Sequence, residues 1–266
     1  MYKLIFFDLD GTLLNDKKEI LEENIDEFKR LKNLGIYTVL CSGRQINSLK
    51  HYQILANSSQ FIIATNGAEI YDTESNKNLF LCSIFKDDII ILDKLAQKLN
   101  LVFKIDTPNA RYVSNAKYAS SIEEIEFKDN ISKFSKREEI LQISLGHQNK
   151  LLLNTAISEV AKNSNLKVAN IFQFNKEKNE NKIWFINIVN SSVSKGNSIK
   201  ELCKILKIDK EKTMAFGDDL NDISMLNSVG YGIAMENSIT SLKKIAKEVI
   251  SNNNEPGIAT VLKRIN

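Results

Sequence analysis

Leu4-Ile5-Phe6-Phe7-Asp8-Leu9-Asp10-Gly11-Thr12 is a four-residue apolar run that stops at a pair of carboxylates. An apolar run without alternation reads as a strand buried on both faces, as in a parallel sheet. Three more runs stop in the same way. Residues 36–41 run into Ser42-Gly43-Arg44, residues 61–64 into Thr65-Asn66-Gly67, and residues 213–216 into Gly217-Asp218-Asp219. Helical spacing lies between them. Leu21, Ile25, Phe28, Leu31 and Leu34 recur at it up to Gly35, and similar stripes cover residues 199–206, 220–226, 239–246 and 258–265. Strands alternating with helices predict an α/β fold with a doubly wound, Rossmann-like parallel sheet. Ligands bind such sheets at the carboxyl ends of the strands, where the polar clusters fall.

The middle of the chain has no such cluster. A helix-like stretch near residues 87–99 and extended stretches near 101–105, 140–145 and 182–188 predict an α+β domain. Residues 175–181 read as an exposed turn between two of its strands. The expected organisation is a core of residues 1–82 and 188–266 with an α+β domain inserted at 83–187.

Bulk composition excludes several roles. The chain has 266 residues, 43% of them apolar and 26% charged, with a net charge of +3. The near balance leaves no electrostatic footprint for nucleic acid or an anionic membrane. Cys41, Cys82 and Cys203 are odd in number and far apart, which argues against a disulfide framework or a zinc site. The first residues carry too short an apolar run for a secretory signal, and no run is long enough to span a bilayer. The expected location is the cytoplasm.

The strand-end residues suggest a chemistry. Asp8 and Asp10 are two apart on an extended chain and so point to one side. Two carboxylates in one pocket can divide nucleophilic and acid/base work if their environments separate their pKa values. An Asp-x-Asp-Gly calcium loop is the competing reading, but that loop places its glycine at position six, which Leu13 occupies here. Asp218, Asp219 and Asp222 make a second acidic cluster. Carboxylates of this kind suit Mg²⁺, and they also suit a helix cap. Ser42 and Gly43 precede a helix and fit either a phosphate cradle or an ordinary N-cap. Lys195 fits a phosphoryl clamp or a solvated surface position.

The order of these features resembles the haloacid dehalogenase-like superfamily. Phe7-Asp8-Leu9-Asp10-Gly11-Thr12-Leu13-Leu14 matches its first motif, Ser42 its second, Lys195 its third and Gly217-Asp218-Asp219-Leu220-Asn221-Asp222 its fourth. Thr65-Asn66-Gly67-Ala68, Met235-Glu236-Asn237-Ser238 and residues 251–257 are similar to further elements of the Cof-type phosphatases. Asn187 and Ser192 depart from it, standing where that subfamily often has an acidic residue and a glycine.

The resemblance implies a Mg²⁺-dependent phosphatase acting on a small phosphorylated metabolite of the sugar phosphate, flavin mononucleotide or pyridoxal phosphate type. It implies that Asp8 becomes an aspartyl-phosphate and that Asp10 serves as acid and then base. Asp8, Asp10 (by its backbone carbonyl), Asp218 and Asp222 are the implied metal residues. Leu9 (by its backbone N–H), Ser42, Gly43 and Lys195 are implied to bind phosphate, and Asn66 and Asn221 to face substrate. The inserted cap is implied to choose the substrate. Lys104, Arg111 and Tyr112 are candidates there, with an ordinary surface position as their default reading. Two alternatives remain at this stage: a phosphotransferase or phosphomutase on the same scaffold, and a regulatory protein that binds a phosphorylated ligand without catalysis. A monomer or a small homo-oligomer is expected.

Overall fold

A computed structural model describes residues 1–119, 124–174 and 182–266. The turn predicted at 175–181 lies outside the described residues. The chain divides into two compact units, Met1–Phe80 with Ser194–Asn266, and Leu81–Val193.

The first unit begins with β1 (Leu4–Phe7), α1 (Glu22–Asn33), β2 (Tyr37–Cys41), α2 (Ile46–Ala56), β3 (Phe61–Ala64), β4 (Glu69–Asp72) and β5 (Lys77–Leu81). The second unit holds α3 (Lys86–Lys98), β6 (Val102–Asp106), β7 (Arg111–Val113), β8 (Ile125–Glu126), α4 (Ile131–Phe134), β9 (Gln142–His147), α5 (Lys150–Val160), β10 (Leu166–Phe174) and β11 (Ile183–Asn190). The chain then returns to the first unit through α6 (Lys195–Leu206), β12 (Thr213–Gly217), α7 (Ile223–Ser228), β13 (Tyr231–Met235), α8 (Thr240–Ile245), β14 (Glu248–Ile250) and α9 (Gly257–Leu262).

The first sheet runs β14-β13-β12-β1-β2-β3-β4-β5. Pairing is parallel from β14 to β3, and β4 is antiparallel to β3. Side-chain alternation splits each strand between two faces. Ile5 and Phe7 join Phe28 and Leu31 of α1 and Ile258 of α9 on one face. Leu4 and Phe6 join Ile199 and Leu202 of α6 and Leu242 of α8 on the other. Each large apolar side chain buried this way stabilises the fold by about 1.5–3 kcal/mol. Strands covered on both sides need no polar face, which explains the unalternated runs in the sequence. Helix α1 ends as predicted, with Gly35 in the left-handed region at φ 67°.

The second sheet runs β10-β11-β9-β6-β7-β8 and is antiparallel except for the β7–β8 pair. Ile89 and Leu92 of α3, Phe134 of α4 and Leu153 of α5 form its core with Ile105, Ile143 and Ile186. Residues 188–193, expected in the first unit, fall in the second because β11 continues pairing with β10 through Asn190. Lys104 departs from its default surface reading. It is 4% exposed and pairs with Glu124 at 3.0 Å.

Candidate active site

The site is built where β1, β2 and β12 end. Phe7 is wedged between Phe28 and Phe216, with ring centroids at 4.6 and 5.0 Å. The Asp8 N–H donates to the Phe216 carbonyl at 3.0 Å, so Asp8 is still held in the ladder when its side chain leaves the sheet. Ser194 caps α6 by accepting from the Asn197 N–H at 3.0 Å, and this cap places Lys195 in the first turn. Lys195 is buried, and its Nζ donates to Asp8 and, at 2.6 Å, to Asp222 Oδ1.

Asp222 is completely buried. Its Oδ2 accepts from the backbone N–H groups of Asp218 and Asp219 at 2.9 and 3.1 Å. One carboxylate thus aims Lys195 and shapes the turn that carries Asp218. Thr12 donates to Asp218 Oδ1 at 2.7 Å. A side chain at Gly11 would collide with the Asp218 carboxylate, and Gly11 also has φ 80°, so both space and backbone conformation require glycine there.

Asp8, Asp218 and Asp222 each offer an oxygen, all within 4.8 Å of one another, as a possible metal group. Burial pushes the Asp8 carboxyl well above the usual range. Lys195 opposes that shift, while the Asp222 and Asp218 charges add to it. Asp218 is pushed up to about 6 by burial and by Asp222. Burial works against the Lys195 charge too, but Asp222 and Asp8 outweigh it and keep the ammonium. Three carboxylates against one ammonium leave an excess of negative charge. The hard oxygen donors and that excess fit a divalent cation such as Mg²⁺.

Asp10 stands apart from this cluster. Arg44 grips it with two bonds of 2.7 Å, from Nε to Oδ2 and from Nη2 to Oδ1, and Lys18 adds one of 2.8 Å. Burial alone would raise the Asp10 pKa, but Arg44 and then Lys18 hold it below the usual carboxylate range. Arg44 was legible only as part of Ser42-Gly43-Arg44, and Lys18 carried no signal in the sequence.

Ser42 lies buried beyond β2, and its Oγ accepts from the Arg44 N–H at 3.3 Å. The next strand end fixes this loop. Thr65 and Asn66 sit in the left-handed region at φ 52° and 58°, and their N–H groups donate to the carbonyls of Arg44 and Ser42 at 2.9 and 3.1 Å. Such a conformation costs a non-glycine residue about 1–3 kcal/mol and clusters at functional sites. Asn66 is 2% exposed and accepts at Oδ1 from Asn221 Nδ2 at 3.2 Å. A Cβ on Gly43 would lie 2.9 Å from Asn66 Oδ1, so the glycine permits this close packing. The Leu9 side chain is buried in the core, leaving only its backbone to serve the site.

Residues 5–262 match the family described as haloacid dehalogenase-like hydrolase. The Bacillus subtilis phosphatase YwpJ is 29% identical, covering 99% of this chain and 99% of its own length. The 5-amino-6-(5-phospho-D-ribitylamino)uracil phosphatase YcsE of the same organism is 29% identical over 98% of this chain and 94% of its own. A crystal structure of a haloacid dehalogenase-like hydrolase from Bacteroides thetaiotaomicron shares the fold, with a TM-score of 0.84 at 24% identity over 100% of both chains. The chain is a phosphatase, and it belongs to the haloacid dehalogenase-like hydrolase family.

Proposed function

We propose that the protein hydrolyses small phosphomonoesters in a Mg²⁺-dependent reaction through an aspartyl-phosphate on Asp8. The observation that carries this reading is the pinning of Asp8 by Lys195 beside Asp218, with more negative charge than the ammonium offsets. The Asp8 and Asp218 carboxylates and the Asp10 backbone carbonyl would hold the ion. Asp222, whose oxygens already accept from Lys195 and two backbone N–H groups, supports the ion through them. Bound Mg²⁺ supplies charge neutralisation for the transferring phosphoryl group.

Asp8 attacks phosphorus and the ester bond breaks in line. Ser42, the Gly43 backbone, the Leu9 N–H and Lys195 hold the phosphoryl oxygens. Asp10 protonates the leaving oxygen and later takes a proton from the water that releases phosphate. Paired with Arg44, Asp10 is ionised, which is the form that activates water. Delivering a proton requires it to part from Arg44 first. Asn221, which is half-buried, faces substrate with Asn66 behind it.

The second unit, as the cap, selects the substrate. A phosphorylated polyol of the kind named for YcsE belongs in the first panel, with sugar phosphates, flavin mononucleotide and pyridoxal phosphate. No described helix is long and apolar enough to cross a membrane. The test is phosphate release from p-nitrophenyl phosphate with and without Mg²⁺, for wild type and Asp8→Asn. Release that persists without the ion or without the Asp8 carboxylate would sink this scheme.

A further inference from the structure

Side-chain amides from two distant segments hold the turn that follows Asp10. Asn237, beyond β13, donates to the Gly11 carbonyl at 2.7 Å and accepts at Oδ1 from the Asn253 N–H at 3.2 Å. Asn253, between β14 and α9, is 7% exposed. Its Nδ2 donates to the Leu14 carbonyl at 2.9 Å and to Asp16 Oδ1 at 3.2 Å. Asn254 closes the far side, donating from Nδ2 to Asp16 Oδ2 and accepting at Oδ1 from the Asp16 N–H, both at 3.1 Å. These asparagines come from Met235-Glu236-Asn237-Ser238 and residues 251–257, segments to which the mechanism assigns no role.

The turn belongs to no strand of the sheet. Isolated bridges join Asp10 to Leu14 and Leu14 to Ile20, the Leu13 and Leu14 N–H groups donate back to the Asp8 and Leu9 carbonyls at 3.3 and 2.9 Å, and the two asparagines tie this local frame to the rest of the unit. Its glycine at 11 and its lysine at 18 are both left-handed, at φ 80° and 64°. The same turn carries Asp10 at its start and brings the Lys18 ammonium back to it. A general acid works only within hydrogen-bond reach of the oxygen it protonates. Misplacement by about 1 Å can cost on the order of 100-fold in rate.

We propose that Asn237 and Asn253 are positioning residues that fix Asp10 for proton transfer to the leaving oxygen, acting through the Gly11 and Leu14 carbonyls. This rests on the aspartyl-phosphate reading above. In the first step an Asp8 oxygen bonds to phosphorus, the bond from phosphorus to the leaving oxygen breaks, and the Asp10 proton goes to that oxygen. Asp8 is held separately by Lys195, so loosening the turn weakens the protonation more than the attack. A p-nitrophenolate leaves readily without a proton, and a phenolate much less so.

The experiment compares kcat/KM for p-nitrophenyl phosphate and phenyl phosphate in wild type, Asn237→Ala, Asn253→Ala and Asp10→Asn. The two asparagine variants are expected to lose about 10-fold on phenyl phosphate and less than about 3-fold on p-nitrophenyl phosphate, a share of the range general acids supply. Asp10→Asn should show the same gap, enlarged. The ratio of the two rates within one preparation does not depend on how much of it is folded. Equal losses on both substrates, or none, would overturn the proposal while a gap in Asp10→Asn leaves the mechanism standing. No gap in Asp10→Asn would overturn both.

Discussion

Among the described residues, a cluster of buried charge in the first unit contrasts with one in the second. In the first unit Asp8, Asp218 and Asp222 surround Lys195. In the second, Lys104 pairs with Glu124, and Arg111 pairs with Asp106, which also accepts from Gln142 at 2.8 Å. The second cluster balances two cations against two anions, and the Lys104 ammonium also faces the Phe185 ring at 5.2 Å. Among the described residues its charges cancel. The first cluster has an anion excess that its own lysine does not cancel. Buried charge that closes on itself stabilises or merely tolerates its surroundings, whereas buried charge left over is poised for something to arrive.

The contrast can be broken most decisively at Asp8. Asp8→Asn should cost at least about 1,000-fold in kcat, since it removes the proposed nucleophile. The same change should leave the metal-free protein as stable as wild type or more so, by about 1 kcal/mol, because it deletes one uncancelled buried charge. Activity assays and urea unfolding of one preparation check both halves. Loss of activity together with marked destabilisation would mean that the first cluster is as self-contained as the second.

Asp218→Asn should raise the Mg²⁺ concentration for half-maximal activity by about 10–100-fold, the order expected for a weakened metal site. A Mg²⁺ titration of the rate checks it, and an unchanged midpoint would remove Asp218 from the metal site.

The second cluster should respond in the opposite sense. Glu124→Gln takes the carboxylate at 3.0 Å away from the Lys104 ammonium and should destabilise the second unit by about 3 kcal/mol, while Lys104→Met with Glu124→Gln should recover most of it. Thermal unfolding of the single and double variants gives the coupling directly. A smaller effect should separate the clusters by pH. The folded pKa of Asp218 lies above its unfolded value, so its ionisation destabilises the metal-free protein as pH rises from the ordinary carboxylate range through about 6. Mg²⁺ should therefore raise Tm more at pH 7.5 than at pH 5. Equal shifts at both would count against the carboxylate origin of the metal site.

The same contrast explains what the sequence reveals. Asp8, Ser42, Asn66 and Asp218 each follow an apolar run, and a parallel sheet covered on both faces puts such breaks at one edge. Strand position and chemistry are therefore read together. Lys104 and Asp106 lie within β6, where alternation alone gives the pattern of a strand with one wet face. Only their partners on β7, β9 and at Glu124 explain their burial, and partners across a sheet are not visible from local spacing. The grip of Arg44 and Lys18 on Asp10 was hidden for the same reason, since it depends on how two loops fold back. Asn237 and Asn253 lay within recognised motifs, yet their roles pass through backbone carbonyls, which every residue possesses.

The register of β1 has a consequence for how the protein is made. Leu4 pairs with Thr213 and Phe7 with Phe216, so the central pair of the six parallel strands joins residues more than 200 apart. On the ribosome β1 emerges first, and at the usual 5–20 residues per second it waits roughly 10–40 s before β12 exists. Throughout that interval a wholly apolar strand has one open edge, and the segment that carries Asp8 is complete long before Lys195 and Asp218 have been synthesised. The nascent chain is thus obliged to shield an unfinished sheet, and the cluster of Asp8, Lys195, Asp218 and Asp222 is among the last features of the first unit to be assembled.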